Sequence, residues 1–238
     1  MLVLGIDTCC MPASAAIFDG EKLLGEVTIN NGNTHSQKIM PMVGELMSSL
    51  EIRPRDIDCF AAAVGPGSYT GVRIGAASVK AMAHGTGKPC VGVSTLKALA
   101  NNILFFDGII CPILDARRDR VYAAEFTGDG SLSRLCEDRA VPVAQLLAEI
   151  EETGKRALFL GDGALTYREV IKERLRDKAA FAKGNNCLNL AGSVAVLGYE
   201  EYMAGNTVGY SELVPNYIGL SQAERERRER LKAENQSK

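Results

Sequence analysis

The 238-residue chain has no tryptophan and only two histidines, His35 and His84. The residue four places after His35 is Ile39, so that helix face offers no paired imidazoles for a zinc site. No metal is expected. No G-x-x-x-x-G-K-[ST] loop occurs: Gly87-Lys88 runs into Pro89 and lacks the upstream glycine. No G-x-S-x-G surrounds Ser68, so a nucleophile elbow is missing too. The seven cysteines include no C-x-x-C pair and are scattered apart from Cys9-Cys10. The first residues, MLVLGIDTCC, show neither a basic start nor a small-residue cleavage site, which points to reduced thiols in the cytoplasm. No apolar run approaches the roughly 18 residues of a membrane span, so no membrane partner is expected. A basic excess is also missing, with 27 Lys and Arg against 29 Asp and Glu. Affinity for nucleic acid comes mostly from neutralised phosphates, so the chain alone should bind tRNA weakly or not at all.

What is present is a pattern written twice. In the first half, 2–7 is a near-continuous apolar strand ending in Asp7, and 13–19 and 22–29 form a hairpin around Asp19-Gly20. A helix from about 34 carries Ile39, Val43, Leu46, Met47 and Leu50 at helical spacing. A strand at 57–64, a glycine loop and a helix at 71–84 follow. In the second half, 108–115 ends in Asp115, 120–128 and 131–138 pair around GDG, 142–154 is a helix, 156–161 a strand and 164–175 a helix. Asp7 then corresponds to Asp115, and Gly65-Pro66-Gly67 to Gly161-Asp162-Gly163. This order predicts an α/β protein of two duplicated lobes with mixed sheets, 1–102 and 103–214. A last helix at about 188–204 is assigned to the second lobe, and 215–238 reads as a charged tail, helical or frayed.

The stretch AAVGPGSYTGVRIGAASV (62–79) poses the functional question. A strand, a glycine turn and a helix can present N–H groups to an anion. The spacing, however, is G-x-G-x-x-x-G rather than the dinucleotide fingerprint. Close backbone packing is therefore the preferred reading on physical grounds. Asp7 and Asp115 read as strand-end caps, with a magnesium ion between the lobes as the alternative.

Together, LGIDT, THSQKIMPMV, GPGSYTGVRIG, GVSTLKALA, DARRDRVYAAEF and VPNYIG resemble the TsaB (YeaZ) family. The resemblance implies an actin-like ATPase (ASKHA) fold of two ribonuclease H-like lobes. It implies a non-catalytic subunit in tRNA threonylcarbamoyladenosine synthesis. The expected partners are a TsaD-type transferase and a TsaE-type ATPase, with a competing homodimer. No cofactor and no catalytic residue is assigned. The implied docking residues lie on the two helices of the first lobe: His35, Ile39, Met40, Val43 and Met47, then Gly75, Ala76, Ala77 and Met82. Charging Val43 and Ala77 together is expected to abolish both dimers while the monomer stays folded. Asp7, Thr8, Gly65, Gly67, Ser68, Arg73 and Asp115 are secondary candidates for contact with a nucleotide or anion, as is the cluster Arg117, Arg118 and Arg120. The alternatives are an ATP-binding or ATP-hydrolysing enzyme of the same fold and, less favoured, a metallopeptidase.

Overall fold

A computed structural model describes residues 1–31 and 35–218, with His35 placed by its backbone alone. The expected tail falls mostly outside the described residues.

The first sheet contains β1 (Val3–Asp7), β2 (Ala13–Phe18), β3 (Leu23–Ile29), β4 (Cys59–Ala63) and β5 (Cys90–Val93), in the order β3-β2-β1-β4-β5. β1 runs antiparallel to β2 and parallel to β4, in register Val3↔Phe18 and Val3↔Cys59. The second contains β6 (Phe105–Asp115), β7 (Arg120–Asp129), β8 (Leu132–Pro142), β9 (Ala157–Leu160) and β10 (Ala179–Phe181), in the order β10-β9-β6-β7-β8. Read from its antiparallel edge, each sheet is third, second, first, fourth, fifth. The repeat predicted from element order is thus present in the pairing, and the fold is α/β with two lobes. The short elements β5, α3 (Thr95–Ala100) and β10 add to the predicted pattern.

Helices α1 (His35–Ser49) and α2 (Tyr69–Thr86) cover one face of the first sheet. α2 starts at an N-cap, where the Ser68 hydroxyl accepts from Gly71 N–H at 3.3 Å. It stops at Gly87, whose φ of 68° is left-handed. α4 (Val143–Glu152), α5 (Asp162–Thr166) and α6 (Arg168–Leu175) lie with the second sheet. The single helix expected at 164–175 is broken at Tyr167, where φ −103° and ψ 18° leave the helical region.

One expectation fails. The last helix, α7 (Ala191–Met203), packs against β1, β2, β4 and β5 of the first sheet instead of completing the second lobe. The following segment stays with it: Val208 bridges Cys90, and Leu213 is buried in the first core. The 103–214 span therefore sends its last part back to the first sheet. Small residues permit that contact. A Cβ on Gly5 would lie 2.6 Å from the Ala191 carbonyl, and one on Gly198 2.5 Å from Ala61 Cβ. The α7 N-terminus is capped from strands over 160 residues away in sequence. Ser14 Oγ accepts from Ala191 N–H at 3.0 Å, and Glu26 Oε1 accepts from Gly192 N–H at 2.9 Å.

α3 joins the lobes. Leu96, Leu99 and Ala100 are buried against Ile110, Leu114 and Phe126 of the second sheet. Ser94, which caps α3, also donates to Asp138 on β8 at 2.5 Å, and Arg134 reaches the same carboxylate at 2.6 Å.

Candidate functional site

The glycine motif sits where α2 meets the end of β1. Gly65 has φ +114°, and a Cβ there would lie 2.5 Å from the Asn216 carbonyl. A Cβ on Gly67 would lie 2.5 Å from the Cys9 carbonyl. One on Gly71 would collide with the Thr8 carbonyl, and one on Gly75 would lie 2.7 Å from Thr8 Oγ1. Hydrogen bonds close the same gap. Ser68 N–H donates to the Cys9 carbonyl at 2.7 Å, and Thr8 Oγ1 donates to the Gly71 carbonyl at 2.6 Å. Thr95 Oγ1 accepts from Gly65 N–H at 3.1 Å. Asn216 N–H donates to the Val64 carbonyl at 2.7 Å. The motif is a packing device between α2, the β1 turn and the segment around Asn216.

The two strand-end aspartates share one local geometry. Asp7 Oδ1 accepts from Cys9 N–H at 2.8 Å, and Asp115 Oδ1 accepts from Arg117 N–H, also at 2.8 Å. Each closes a turn two residues on, as expected of a strand-end cap. Their surroundings differ. Asp7 is fully buried and also accepts from Asn189 Nδ2 at 3.3 Å. Burial pushes the neighbouring Cys9 thiol well up, and the Asp7 charge adds to it. Asp115 remains partly exposed and pairs with Arg117 at 3.6 Å.

A cleft of about 470 Å³ opens between the lobes. Gly67, Ser68 and Asp115 of the candidate contact residues line it, while Asp7, Thr8 and Gly65 are buried. Arg73 is on α2, outside that lining. Asp115 and Asp162 place two carboxylates on the wall, and among the described residues Arg117 is the one basic side chain on it. That balance does not favour an anionic ligand. The second glycine turn packs on the Ile113 carbonyl and on Leu99 of α3: a Cβ on Gly161 would collide with that oxygen and lie 2.8 Å from Leu99 Cδ2. Among the described residues, no three His, Cys, Asp or Glu side chains gather as a metal site.

The docking candidates divide sharply. Ile39, Val43 and Met47 are 1%, 2% and 6% exposed and pack in the first core. Gly75 and Ala76 are buried as well. These five are corrected to core residues: the helical face they mark points at the sheet. A charge at Val43 would enter that core, so the double charge with Ala77 is not a clean test of docking. Met82 is partly buried against the same core. Met40 and Ala77 are exposed, with Gly44 and Ala81 beside them in the pattern. The side chain of His35 is outside the described residues.

Sequence reasoning missed an aromatic cluster at the end of this face. Tyr69 and Tyr217 stack with centroids 4.8 Å apart and planes 7° from parallel. Arg73 Nε–H donates to Tyr217 Oη at 2.8 Å, and its guanidinium lies 5.5 Å from that ring centroid. The tyrosine in VPNYIG, outside any regular element, was the available signal.

The family model for TsaD, tRNA N6-adenosine threonylcarbamoyltransferase, matches residues 22–226. A curated Bacillus subtilis protein, tRNA threonylcarbamoyladenosine biosynthesis protein TsaB, is 33% identical over 94% of this chain and 96% of its own. The chain belongs to the TsaB (YeaZ) family. For TsaB-type chains the solved structures agree in fold. A Pseudomonas aeruginosa protein described as similar to peptidase YeaZ superposes with TM-score 0.80 at 23% identity, covering 92% of this chain and 99% of that one. A ROK hexokinase from Thermus thermophilus matches more distantly, with TM-score 0.50 at 13% identity over 86% of this chain and all of the other. This TsaB-family chain therefore shares a two-lobed α/β fold with these structures. No helix among its described residues is long and apolar enough to cross a membrane.

Proposed function

We propose that the chain is a non-catalytic subunit of the cytoplasmic apparatus that makes threonylcarbamoyladenosine next to the tRNA anticodon. Its role is to hold a TsaD-type transferase through the exposed side of α1 and α2. A TsaE-type ATPase is the third member, and without partners the same face closes on a second copy. We retain 1–102 as the first lobe and start the second at 103, with the chain returning to the first lobe at α7.

The observation that carries this reading is the occupied glycine motif. Its close approaches are taken up by Thr8, Cys9 and Asn216, and the second turn is filled by the Ile113 carbonyl and Leu99. A phosphate cradle would need those positions open to a ligand. The surface left to a partner runs through Met40, Gly44, Ala77 and Ala81. Small residues there let another helix come close, and methionine adapts to its shape.

The test is co-purification with a TsaD-type transferase, followed by tRNA modification with and without this chain. Modification should require the chain, while the isolated chain turns over no ATP. Robust ATP hydrolysis by the lone polypeptide would overturn the non-catalytic assignment.

A further inference from the structure

We propose that α3 is a strut that holds the two lobes at one fixed opening, so that the cleft between them neither closes nor widens when a partner or nucleotide is added. The strut acts on the scaffold as a whole and does not depend on which face docks a partner.

α3 is tied to the glycine turns of both lobes. In the first lobe, Thr95 exchanges two hydrogen bonds with Gly65. Its N–H donates to the Gly65 carbonyl at 2.9 Å, and its Oγ1 accepts from Gly65 N–H at 3.1 Å. One helical turn on, Leu99 packs on Gly161 of the second lobe, its Cδ2 2.8 Å from where a Cβ would stand. Thr95, Leu96 and Leu99 are fully buried. Leu96 and Leu99 share a core with Ile110, Leu114 and Leu160 of the second lobe. Rotating the lobes must therefore either strand a buried amide and hydroxyl at Gly65 and Thr95 or strip Leu96 and Leu99 from that core. Close-packed interiors do not yield to such changes gradually.

The two places where the chain crosses between lobes are held as well. A hinge needs a few residues that can absorb large backbone changes. Here the outgoing crossing follows α3 and the return precedes α7. Asn102, on the first, donates from Nδ2 to the carbonyls of Asn186 and Leu188 on the second, at 3.2 and 2.9 Å. Its Oδ1 accepts from the Ser193 hydroxyl at 2.8 Å. Asn189 Nδ2 then donates to buried Asp7 at 3.3 Å, which fixes the return to the end of β1. At the start of α3, Ser94 and Arg134 meet on Asp138 of β8. Crossing is bonded to crossing, and the return is bonded to a strand end, so neither is a free pivot.

The experiment measures the distance between lobes in the full-length chain. Azide-bearing residues replace the exposed Glu21 of the first lobe and Glu152 of the second, and each takes a spin label. Double electron–electron resonance is read for the chain alone, with Mg-ATP, and with a TsaD-type transferase. One distance maximum is expected, moving by no more than about 2 Å among the three. A larger shift, or a second maximum, would overturn the fixed opening. Leu99→Ala removes the tie to the second lobe and should broaden the distribution, and adding Thr95→Val should broaden it further. Leu99→Val removes less and serves where the alanine variant fails to fold. Leu147→Ala opens a cavity in the second core away from α3 and should leave the distribution as in the parent. Cooperative thermal unfolding identifies the folded variants. An unchanged distribution in a folded Leu99 variant would refute α3 as the strut. Equal broadening by Leu147→Ala would refute it too, because packing lost anywhere would then suffice.

Discussion

The two lobes repeat one backbone and differ in what rests on it. Each has the same strand order, a strand ending in an aspartate that closes a turn, and a glycine in the left-handed region after the fourth strand: Gly65 at +114° and Gly161 at +98°. In the first lobe the glycine turn feeds an unbroken 18-residue helix and is covered by the returning chain at Asn216. In the second it feeds two short helices broken at Tyr167 and is covered by the Ile113 carbonyl of its own lobe and by Leu99 from α3. Turn chemistry depends on one or two residues and is kept in both copies. The covering surface depends on distant segments and has diverged. The two turns are closed by different means, and among the described residues the 18-residue helix α2 lies on the first lobe.

That contrast can be broken by mutation. The largest effect is expected at the closest approach. Gly71→Ala forces a methyl into the Thr8 carbonyl and should cost about 3 kcal/mol or more, lowering Tm by about 10 °C. Gly163→Ala, 2.9 Å from the Ile113 carbonyl, should cost about 1–2 kcal/mol. Equal losses in urea unfolding would mean that the first turn is no tighter than the second.

The aspartates come next. Asp7→Ala leaves the Cys9 N–H and the Asn189 amide without their buried acceptor, at about 2–3 kcal/mol. Asp115→Ala, in a wetter site, should cost about 1 kcal/mol or less. Chemical denaturation of the pair distinguishes a buried cap from an exposed one.

A smaller effect concerns alkaline pH. Burial raises the thiols of Cys59 to about 12 and Cys90 to about 11, from an ordinary value of 9.0. In the unfolded chain these thiols ionise near that ordinary value. The stability they contribute is complete below pH 9 and is lost as pH rises toward 12. The denaturation midpoint should fall over that window, and Cys59→Ala should flatten the fall.

The smallest effect is at the exposed Arg53–Asp56 pair. It holds the Asp56 carboxyl at about 2, below its ordinary 3.8. Its contribution is present above pH 4 and disappears as pH falls through about 2. Asp56→Asn at neutral pH should leave Tm unchanged within measurement scatter, because exposed pairs contribute little.

Most strands were legible because apolar runs bounded by Asp-Gly and similar turns have few alternative readings. The repeat was legible through Asp7 and Asp115, and their capping role followed from residue type. β5, α3 and β10 were missed, since elements of three to six residues leave too short a period to read. α1 shows a subtler limit. Helical spacing correctly grouped Ile39, Val43, Leu46 and Met47, yet periodicity identifies an apolar face without saying whether a sheet or a partner covers it. Here the sheet covers it, and the surface that remains includes Met40 and Gly44. Nothing local marks α7 as belonging to the first sheet, because its N-terminal caps come from Ser14 and Glu26.

The sequence by itself determined the α/β class, the doubled strand order, the two aspartate turns and the family, because these depend on neighbouring residues and short spacings. Only the tertiary structure decided where α7 lies, what fills the glycine turns and which side of α1 and α2 faces outward. Those outcomes are set by contacts between residues far apart in the chain, such as Gly5 with Ala191 and Arg73 with Tyr217, whose energies exist only after the chain has closed on itself.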